Sequence, residues 1–248
     1  MIKLIVSGVL GRMGKEIISL SKEFKDINII AGFDKKKETI SIPVKNSINE
    51  LPCQFDAVVD FSSPEALIEM LHFSLENKKA IVTGTTGLTD KEEKEIKRVS
   101  KMIPVFWASN MSMGINTVIA ILEGLPDILY KDFDIEIVET HHRLKKDSPS
   151  GTALTLGKTI AKKIGKEAFL YGRKGKELQR KKGDIGLHSI RGGTVVGTHT
   201  IYFHGDNESV EITHRAYSRR IFALGAITAA RWIVKKEPGL YSMKDLLS

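Results

Sequence analysis

The chain has 248 residues, enough for one large domain or two modest ones, and 42% of them are hydrophobic, so a sizeable core is within reach. A single cysteine, Cys53, excludes an internal disulfide and points to a reducing compartment. With 38 Lys and Arg against 30 Asp and Glu the formal charge is +8, which suits either nucleic acid or small acidic molecules.

Met1-Ile2-Lys3 runs directly into an apolar strand pattern without the regions of a signal peptide. No apolar run reaches membrane-spanning length, and Arg231 interrupts the late stretch 222–234, so a cytoplasmic protein with no membrane partner is expected. Ile2-Lys3-Leu4-Ile5-Val6 reads as a β-strand, followed at once by Ser7-Gly8-Val9-Leu10-Gly11-Arg12-Met13-Gly14 and a helical pattern over 15–24. Strand, glycine turn and helix in this order form a pyrophosphate cradle at the helix N-terminus, assigned here to Gly8, Val9, Leu10, Gly11, Arg12 and Met13. The spacing is Gly-x-x-Gly-x-x-Gly rather than Gly-x-Gly-x-x-Gly, so position in the chain strengthens the motif more than its letters do. The next strand, 27–33, ends at Asp34, twenty residues after Gly14, where a dinucleotide fold places an acid on the ribose hydroxyls. Lys35, Lys36 and Lys37 follow and suit a 2′-phosphate, so both NADH and NADPH are expected to bind. The plainer reading, an acidic turn with solvated lysines, loses ground to the upstream glycines.

Further strands are expected at 56–61, 80–83 and 103–107. Ser62-Ser63-Pro64-Glu65 opens a helix, Gly84-Thr85-Thr86-Gly87 leaves the fourth strand, Thr89-Asp90-Lys91-Glu92 is a capping box, and Ala108-Ser109-Asn110-Met111 leaves the fifth strand. Alternation of strand and helix predicts an α/β fold, a Rossmann-like open parallel sheet with its ligand across the strand carboxyl ends. Gly84, Thr85, Thr86, Ala108, Ser109, Asn110 and Met111 all fall on that edge beside the glycine turn.

After a helix at about 114–125 the rhythm changes. Asp134-Ile135-Glu136-Ile137-Val138-Glu139 alternates as a half-buried strand and delivers His141 and His142 to its end. Ser148-Pro149-Ser150-Gly151-Thr152 then caps a helix through 161, whose bare N–H groups attract an anion. Gly151 and Thr152 suit one carboxylate of a small dianion, His142 with Lys145 or Lys146 the remaining charge, and Lys145 is able to supply a proton. Neighbours on a strand point to opposite faces, so the two histidines take separate roles unless the chain is already turning. Taken alone, a histidine pair at a strand end is as often a structural hydrogen-bonding feature. No metal is expected, because zinc sites need three or four ligands at set spacing. Ser148 and Ser150 sit where caps belong, and Gly157-Lys158-Thr159 is no phosphate loop, since Thr152 occupies the place of its first glycine. The basic run 173–182 has one aromatic neighbour, Tyr171, and no surrounding nucleic-acid module, so no nucleic-acid partner is expected. Strands follow at 185–191, 194–203 and 208–214, then a helix at 218–234, a break at Pro238-Gly239 and a short helix capped by Ser242.

Taken together, the glycine turn, Gly84-Thr85-Thr86-Gly87 and Glu139-Thr140-His141-His142-Arg143-Leu144-Lys145-Lys146-Asp147-Ser148-Pro149-Ser150-Gly151-Thr152-Ala153 resemble the dihydrodipicolinate reductase family, also called 4-hydroxy-tetrahydrodipicolinate reductase. The likeness extends to Ala108–Ser112, His188–Gly193, Val196–His199 and Glu211–His214, and so spans nearly the whole chain. It implies an NAD(P)H-dependent step of lysine and diaminopimelate synthesis that yields tetrahydrodipicolinate from a cyclic dicarboxylate. Through it His141 becomes the acid/base residue, Lys145 the proton donor, and His142, Gly151 and Thr152 the substrate-binding groups. It also implies a dinucleotide-binding domain at 1–111 and 220–248, with an α+β domain at 112–219 whose mixed sheet binds substrate and forms a homotetramer. Closure of the two domains is expected to bring hydride and proton donors together. Many members have alanine and arginine where this chain has Val9 and Lys35. Lysine is a point charge and not a planar fork, which leaves the preference between NADH and NADPH open.

Overall fold

Most residues of the central strands in the first sheet are apolar, and the computed structural model explains why: both faces of that sheet are covered. The structure describes residues 1–36, 38–176 and 179–248, so Lys37 of the lysine run and Glu177 and Leu178 of the basic run lie outside the described residues. The chain divides into two units, Met1–Met113 with Arg219–Ser248, and Gly114–Ser218.

The first unit opens with β1 (Ile2–Ser7), α1 (Arg12–Ser21), β2 (Ile27–Phe33), β3 (Val44–Lys45), a 3-10 turn (Ile48–Glu50) and β4 (Ala57–Asp60). It continues through α2 (Pro64–Glu76), β5 (Ala80–Thr83), α3 (Asp90–Val99) and β6 (Pro104–Trp107). The second unit contains α4 (Met113–Gly124, from Gly114 onward), α5 (Ile128–Lys131), β7 (Asp134–His141), α6 (Gly151–Ile164), β8 (Phe169–Tyr171), β9 (Ile185–Arg191), β10 (Gly197–His204) and β11 (Ser209–Ala216). The chain then returns to the first unit with α7 (Arg220–Ile233), β12 (Gly239–Tyr241) and α8 (Met243–Leu247).

All seven strands of the first sheet are parallel, in the order β12-β6-β5-β4-β1-β2-β3. Strand order reverses at β1, between β2 and β4, which is where a doubly wound sheet opens a crevice at its carboxyl edge. Residues of α1, α7 and α8 cover one face through Ile17, Ala226, Ile227, Ile233 and Met243, all buried. Residues of α2 and α3 cover the other through Leu67, Met70, Leu71 and Ile96. Ser63 caps α2 by accepting from the Ala66 amide, with Pro64 in its first turn, and Thr89 with Glu92 forms the capping box of α3.

The second sheet, β11-β10-β7-β9-β8, is mixed: β10 runs antiparallel to β7 and β11, while β9 is parallel to β7 and β8. Burial alternates along β7, with Ile135, Ile137, Glu139 and His141 turned to the buried face. There α6 packs Ala153, Leu156 and Ile160 onto Ile137, Ile185, Leu187 and Ile201.

Several boundaries differ from expectation for local reasons. Helix α1 starts at Arg12 instead of residue 15, because Gly11 is its N-cap and Gly14 lies inside the first turn. A Cβ on Gly14 would come within 2.5 Å of the Gly8 and Val9 backbone, so a glycine inside the helix is required for close packing on the turn. Strand β10 begins at Gly197 and not residue 194, since Gly193 adopts φ +51° in the preceding turn. Strands β3, β8 and β12 and helix α5 were not expected at all.

Candidate active site

In the first unit the turn after β1 is held by its neighbours. The Gly8 amide donates to the Phe33 carbonyl at 2.9 Å, the Gly11 amide to the Gly8 carbonyl at 3.0 Å, and the Leu10 amide to Asp34 Oδ2 at 3.0 Å. Asp34 therefore pins the glycine turn while standing half-buried at the crevice rim, with Lys35 exposed beside it. A cavity of about 390 Å³ opens here, lined by Gly8, Gly11, Asp34, Lys35, Phe61 and Ser62 among others. Arg12 is exposed at the first turn of α1 and Met13 is half-buried. Val9 points the other way, into the core beside Gly32, so only its backbone belongs to the turn.

Two further strand exits stand on the same edge. Asp60, fully buried at the end of β4, accepts from Ser62 Oγ at 2.5 Å, Thr83 Oγ1 at 2.9 Å and Thr85 Oγ1 at 2.6 Å. Burial raises its pKa against these hydrogen bonds. Thr85 Oγ1 also receives the Ser62 amide at 3.0 Å, so its side chain stitches β4 to β5, while Gly84 packs on the Phe61 ring and Thr86 is exposed. Ala108 is tied to the Thr83 carbonyl, Ser109 is exposed, Asn110 Oδ1 receives the Ser112 amide at 2.9 Å, and Met111 is buried in the core. The residues present fit a dinucleotide: a Cβ-free backbone at the turn, a helix N-terminus behind it and a rim carboxylate suited to ribose hydroxyls.

The second unit gathers another cluster at the end of β7. Glu139 and His141, two residues apart, share the buried face, and Glu139 Oε2 lies 2.5 Å from His141 Nδ1. Glu139 Oε1 accepts the Ser150 amide at 3.1 Å, and both oxygens receive Arg191 of β9 at 2.7 and 2.8 Å. Burial pushes the Glu139 carboxyl up, but Arg191, His141 and the other hydrogen bonds outweigh it and hold the pKa at about 2. Burial keeps the His141 imidazole below its ordinary pKa, partly opposed by Glu139. Ser150 caps α6, receiving the Ala153 amide at 3.2 Å and meeting His199 Nε2 of β10 at 3.0 Å. Gly151 and Thr152 form the first turn of that helix, and the Gly151 Cα faces open space. The chain turns straight after His141, with the Lys145 amide donating to the His142 carbonyl at 3.1 Å. Lys145 Nζ meets Asp147 Oδ1 at 3.0 Å, and His142 is half-buried.

Glu139, Arg191, Asp147 and His199 were not singled out from sequence. The period of two along β7 carried the signal for Glu139, since a carboxylate two residues before a histidine must share its face. Arg191 and His199 come from strands far along the chain, and only the sheet register, His141 opposite Arg191 and Glu139 opposite His199, brings them in. Among the described residues no group of three His, Cys, Asp or Glu side chains is arranged to hold a metal ion, and no helix is long and apolar enough to cross a membrane.

His199 supplies a stability prediction. Burial lowers its pKa to about 4. The folded chain thus refuses a proton that the unfolded chain takes up near pH 6.5, and stability present above pH 6.5 is lost as pH falls toward 4. The loss is on the order of 3 kcal/mol. Urea midpoints at pH 7.5 and 4.5 should fall further for the wild type than for His199→Gln, and equal falls would remove His199 as the cause.

A doubly wound parallel sheet with a glycine turn at its carboxyl edge, together with a separate unit carrying a histidine held by a carboxylate and a lysine in the loop that follows, fits the class of dinucleotide-dependent oxidoreductases. Residues 2–111 match the family model described as dihydrodipicolinate reductase, N-terminus, and residues 114–247 match the corresponding C-terminus. A 4-hydroxy-tetrahydrodipicolinate reductase of Caldanaerobacter subterraneus subsp. tengcongensis is 42% identical over 248 residues, covering 100% of this chain and 98% of that one. One of Aquifex aeolicus is 42% identical over 262 residues, covering 99% and 98%. The solved structure of dipicolinate-bound dihydrodipicolinate reductase from Paenisporosarcina sp. TG-14 matches with a TM-score of 0.81 at 23% identity over 98% of this chain and 97% of that one, a likeness of fold. The chain belongs to the dihydrodipicolinate reductase family, and it is an oxidoreductase of the 4-hydroxy-tetrahydrodipicolinate reductase type.

Proposed function

We propose that the second unit binds the cyclic dicarboxylate and protonates it, while the first unit binds NADH or NADPH. The observation that carries this reading is the cluster at the end of β7, where His141, Lys145 and the amides of Gly151 and Thr152 belong to one short connection. The nicotinamide, when bound, supplies hydride to the unsaturated carbon. The α6 N-terminus and His142 hold carboxylate, Lys145 or His141 delivers a proton to the adjacent carbon, and tetrahydrodipicolinate leaves toward lysine through diaminopimelate. Residues 1–111 with 220–248 form the dinucleotide-binding domain in this proposal, and 112–219 the substrate domain. Gly8, Val9, Leu10, Gly11, Arg12 and Met13 take the pyrophosphate, Asp34 and Lys35 the ribose end, and Gly84, Thr85, Thr86, Ala108, Ser109, Asn110 and Met111 the remaining edge. The direct test supplies aspartate semialdehyde, pyruvate and the preceding synthase, and follows loss of reduced-nicotinamide absorbance with each cofactor separately. No substrate-dependent loss with either would overturn the assignment.

Asp34 suits a ribose diol and Lys35 a 2′-phosphate, so both cofactors are used. Lys35 is exposed, and an exposed ion pair contributes about 0–1 kcal/mol. Lys35→Ala is therefore expected to lower kcat/KM for NADPH by roughly 2- to 5-fold and leave NADH nearly unchanged. An equal effect on both would place the lysine away from the phosphate.

The assembly in this reading is a homotetramer formed through the second unit. The face of its sheet turned away from α6 carries Ile190, 52% exposed, beside half-buried Val138, Thr140 and Tyr202. Light scattering should give four times the chain mass. The single exposed cysteine, Cys53, suits the reducing cytoplasm, where we place the enzyme.

A further inference from the structure

We propose that Glu139 and Arg191 act as a positioning pair for the acid–base centre, fixing His141, the N-terminus of α6 and the Lys145 loop to one carboxylate. This rests on the proposed roles of His141 and Lys145, and extends them to two residues that do not touch substrate in that scheme.

The Glu139 carboxylate accepts from three different elements. His141 Nδ1 approaches Oε2 along β7, the Ser150 amide donates to Oε1 from the start of α6, and Arg191 brackets both oxygens from β9. Arg191 then reaches onward to the Asp147 carbonyl at 2.8 Å, and Asp147 Oδ1 holds Lys145 Nζ. His141 is thus one contact and Lys145 three contacts from the same carboxylate, and Ser150, one contact away, caps the helix that begins at Gly151. A side chain that is 1% exposed with this many donors costs too much to bury for packing alone, and a bidentate guanidinium keeps it anionic. An anionic Glu139 accepts from Nδ1–H, so the His141 tautomer carries its proton there and turns Nε2 outward as the working nitrogen. The Gly197 Cα lies beside that nitrogen: a Cβ there would come within 3.0 Å of His141 Nε2, so the glycine leaves the space clear.

The charged and titratable groups around His141 are Glu139 on its own strand, Arg191 on β9, His199 on β10 with His214 of β11 behind it, and Lys145 and Asp147 in the loop. Removing the Glu139 charge takes away the group among them that holds the imidazole pKa up most.

The test uses the full-length enzyme and two independent readouts. Steady-state kinetics of Glu139→Gln across pH 5.5–9 are expected to lose about 10²- to 10⁴-fold in kcat, with the limb governed by His141 moved to lower pH and the NADH dissociation constant unchanged. Long-range ¹⁵N–¹H spectra of labelled histidine, with the His141 signal assigned by its loss in His141→Asn, should show the Nδ1–H tautomer in wild type and its loss in Glu139→Gln. Arg191→Lys should retain more turnover than Arg191→Ala, because one ammonium replaces part of the bracket. If Glu139→Gln fails to fold, the two Arg191 variants carry the same comparison, with the spectra reporting the tautomer. Normal turnover and an unmoved pH profile in the Glu139 variant, or an Nε2–H tautomer in wild type, overturns the pair. A wild type with the expected tautomer but no turnover on the dicarboxylate would sink the functional reading and leave the positioning pair standing.

Discussion

Lys145→Ala should lower kcat by roughly 10²- to 10⁴-fold while NADH binding and the unfolding midpoint stay near their wild-type values. The lysine sits in a turn anchored by its own amide on the His142 carbonyl, and its ammonium is held by Asp147, whose side chain is 59% exposed. The Lys145 side chain is itself 21% exposed, so its removal takes away some packing, but the ion pair lost with it is half in solvent and the larger effect falls on chemistry. His141→Ala should be comparably damaging by a different route, since burial keeps the imidazole below its usual pKa and mostly neutral at pH 7. A neutral imidazole is a poor proton reservoir, which favours Lys145 as donor and His141 as the group that orients substrate or restores the proton. The two losses should not add, because residues acting as one unit each remove most of its effect. Stopped-flow turnover of both single variants and the double variant, beside fluorescence titration with NADH, separates these cases. Near-normal turnover in either single variant would refute its assignment, and a loss confined to substrate KM would reduce that residue to positioning.

The parts legible in the sequence were those whose signal is local. The glycine turn after a β-branched run, the capping box at Thr89 and the alternation along β7 each encode their structure within about eight residues, and each is present in the fold. Strands β3, β8 and β12 are two or three residues long and gain their pairing from a neighbour already in place, so no periodicity announces them. The inward turn of Thr85 is equally non-local. A threonine in a Gly-Thr-Thr-Gly loop reads as a ligand contact, whereas its hydroxyl serves a buried carboxylate 25 residues earlier in the chain. The same holds for the substrate-side cluster: His141 and Lys145 lie in one readable segment, but the partners that set the histidine's proton and the loop's course arrive from β9 and β10 through sheet register.

Gly8→Ala is expected to be strongly damaging, because strain and close contact act together there. Gly8 holds φ +71°, a region that costs an L-residue roughly 1–2 kcal/mol. The added Cβ would also stand 2.2 Å from the Phe61 carbonyl oxygen and 2.7 Å from its carbon, both backbone atoms that cannot swing aside. Overpacking of this kind adds about 1–3 kcal/mol. At about 2–4 °C per kcal/mol for a chain of this size, the melting temperature should drop by roughly 4–20 °C. The alternative to that loss is a shift of the turn, which would move Gly8 and Gly11 along one wall of the 390 Å³ cavity and weaken NADH binding. Gly87→Ala separates strain from contact, since Gly87 has φ +77° but nothing within 4 Å of its Cβ position. Its melting temperature should fall only by the strain, roughly 2–8 °C. If the two variants melt together and Gly8→Ala binds NADH as the wild type does, the close approach between the β1 turn and the β4 exit carries no energetic weight, and the glycine is there for its backbone angle alone.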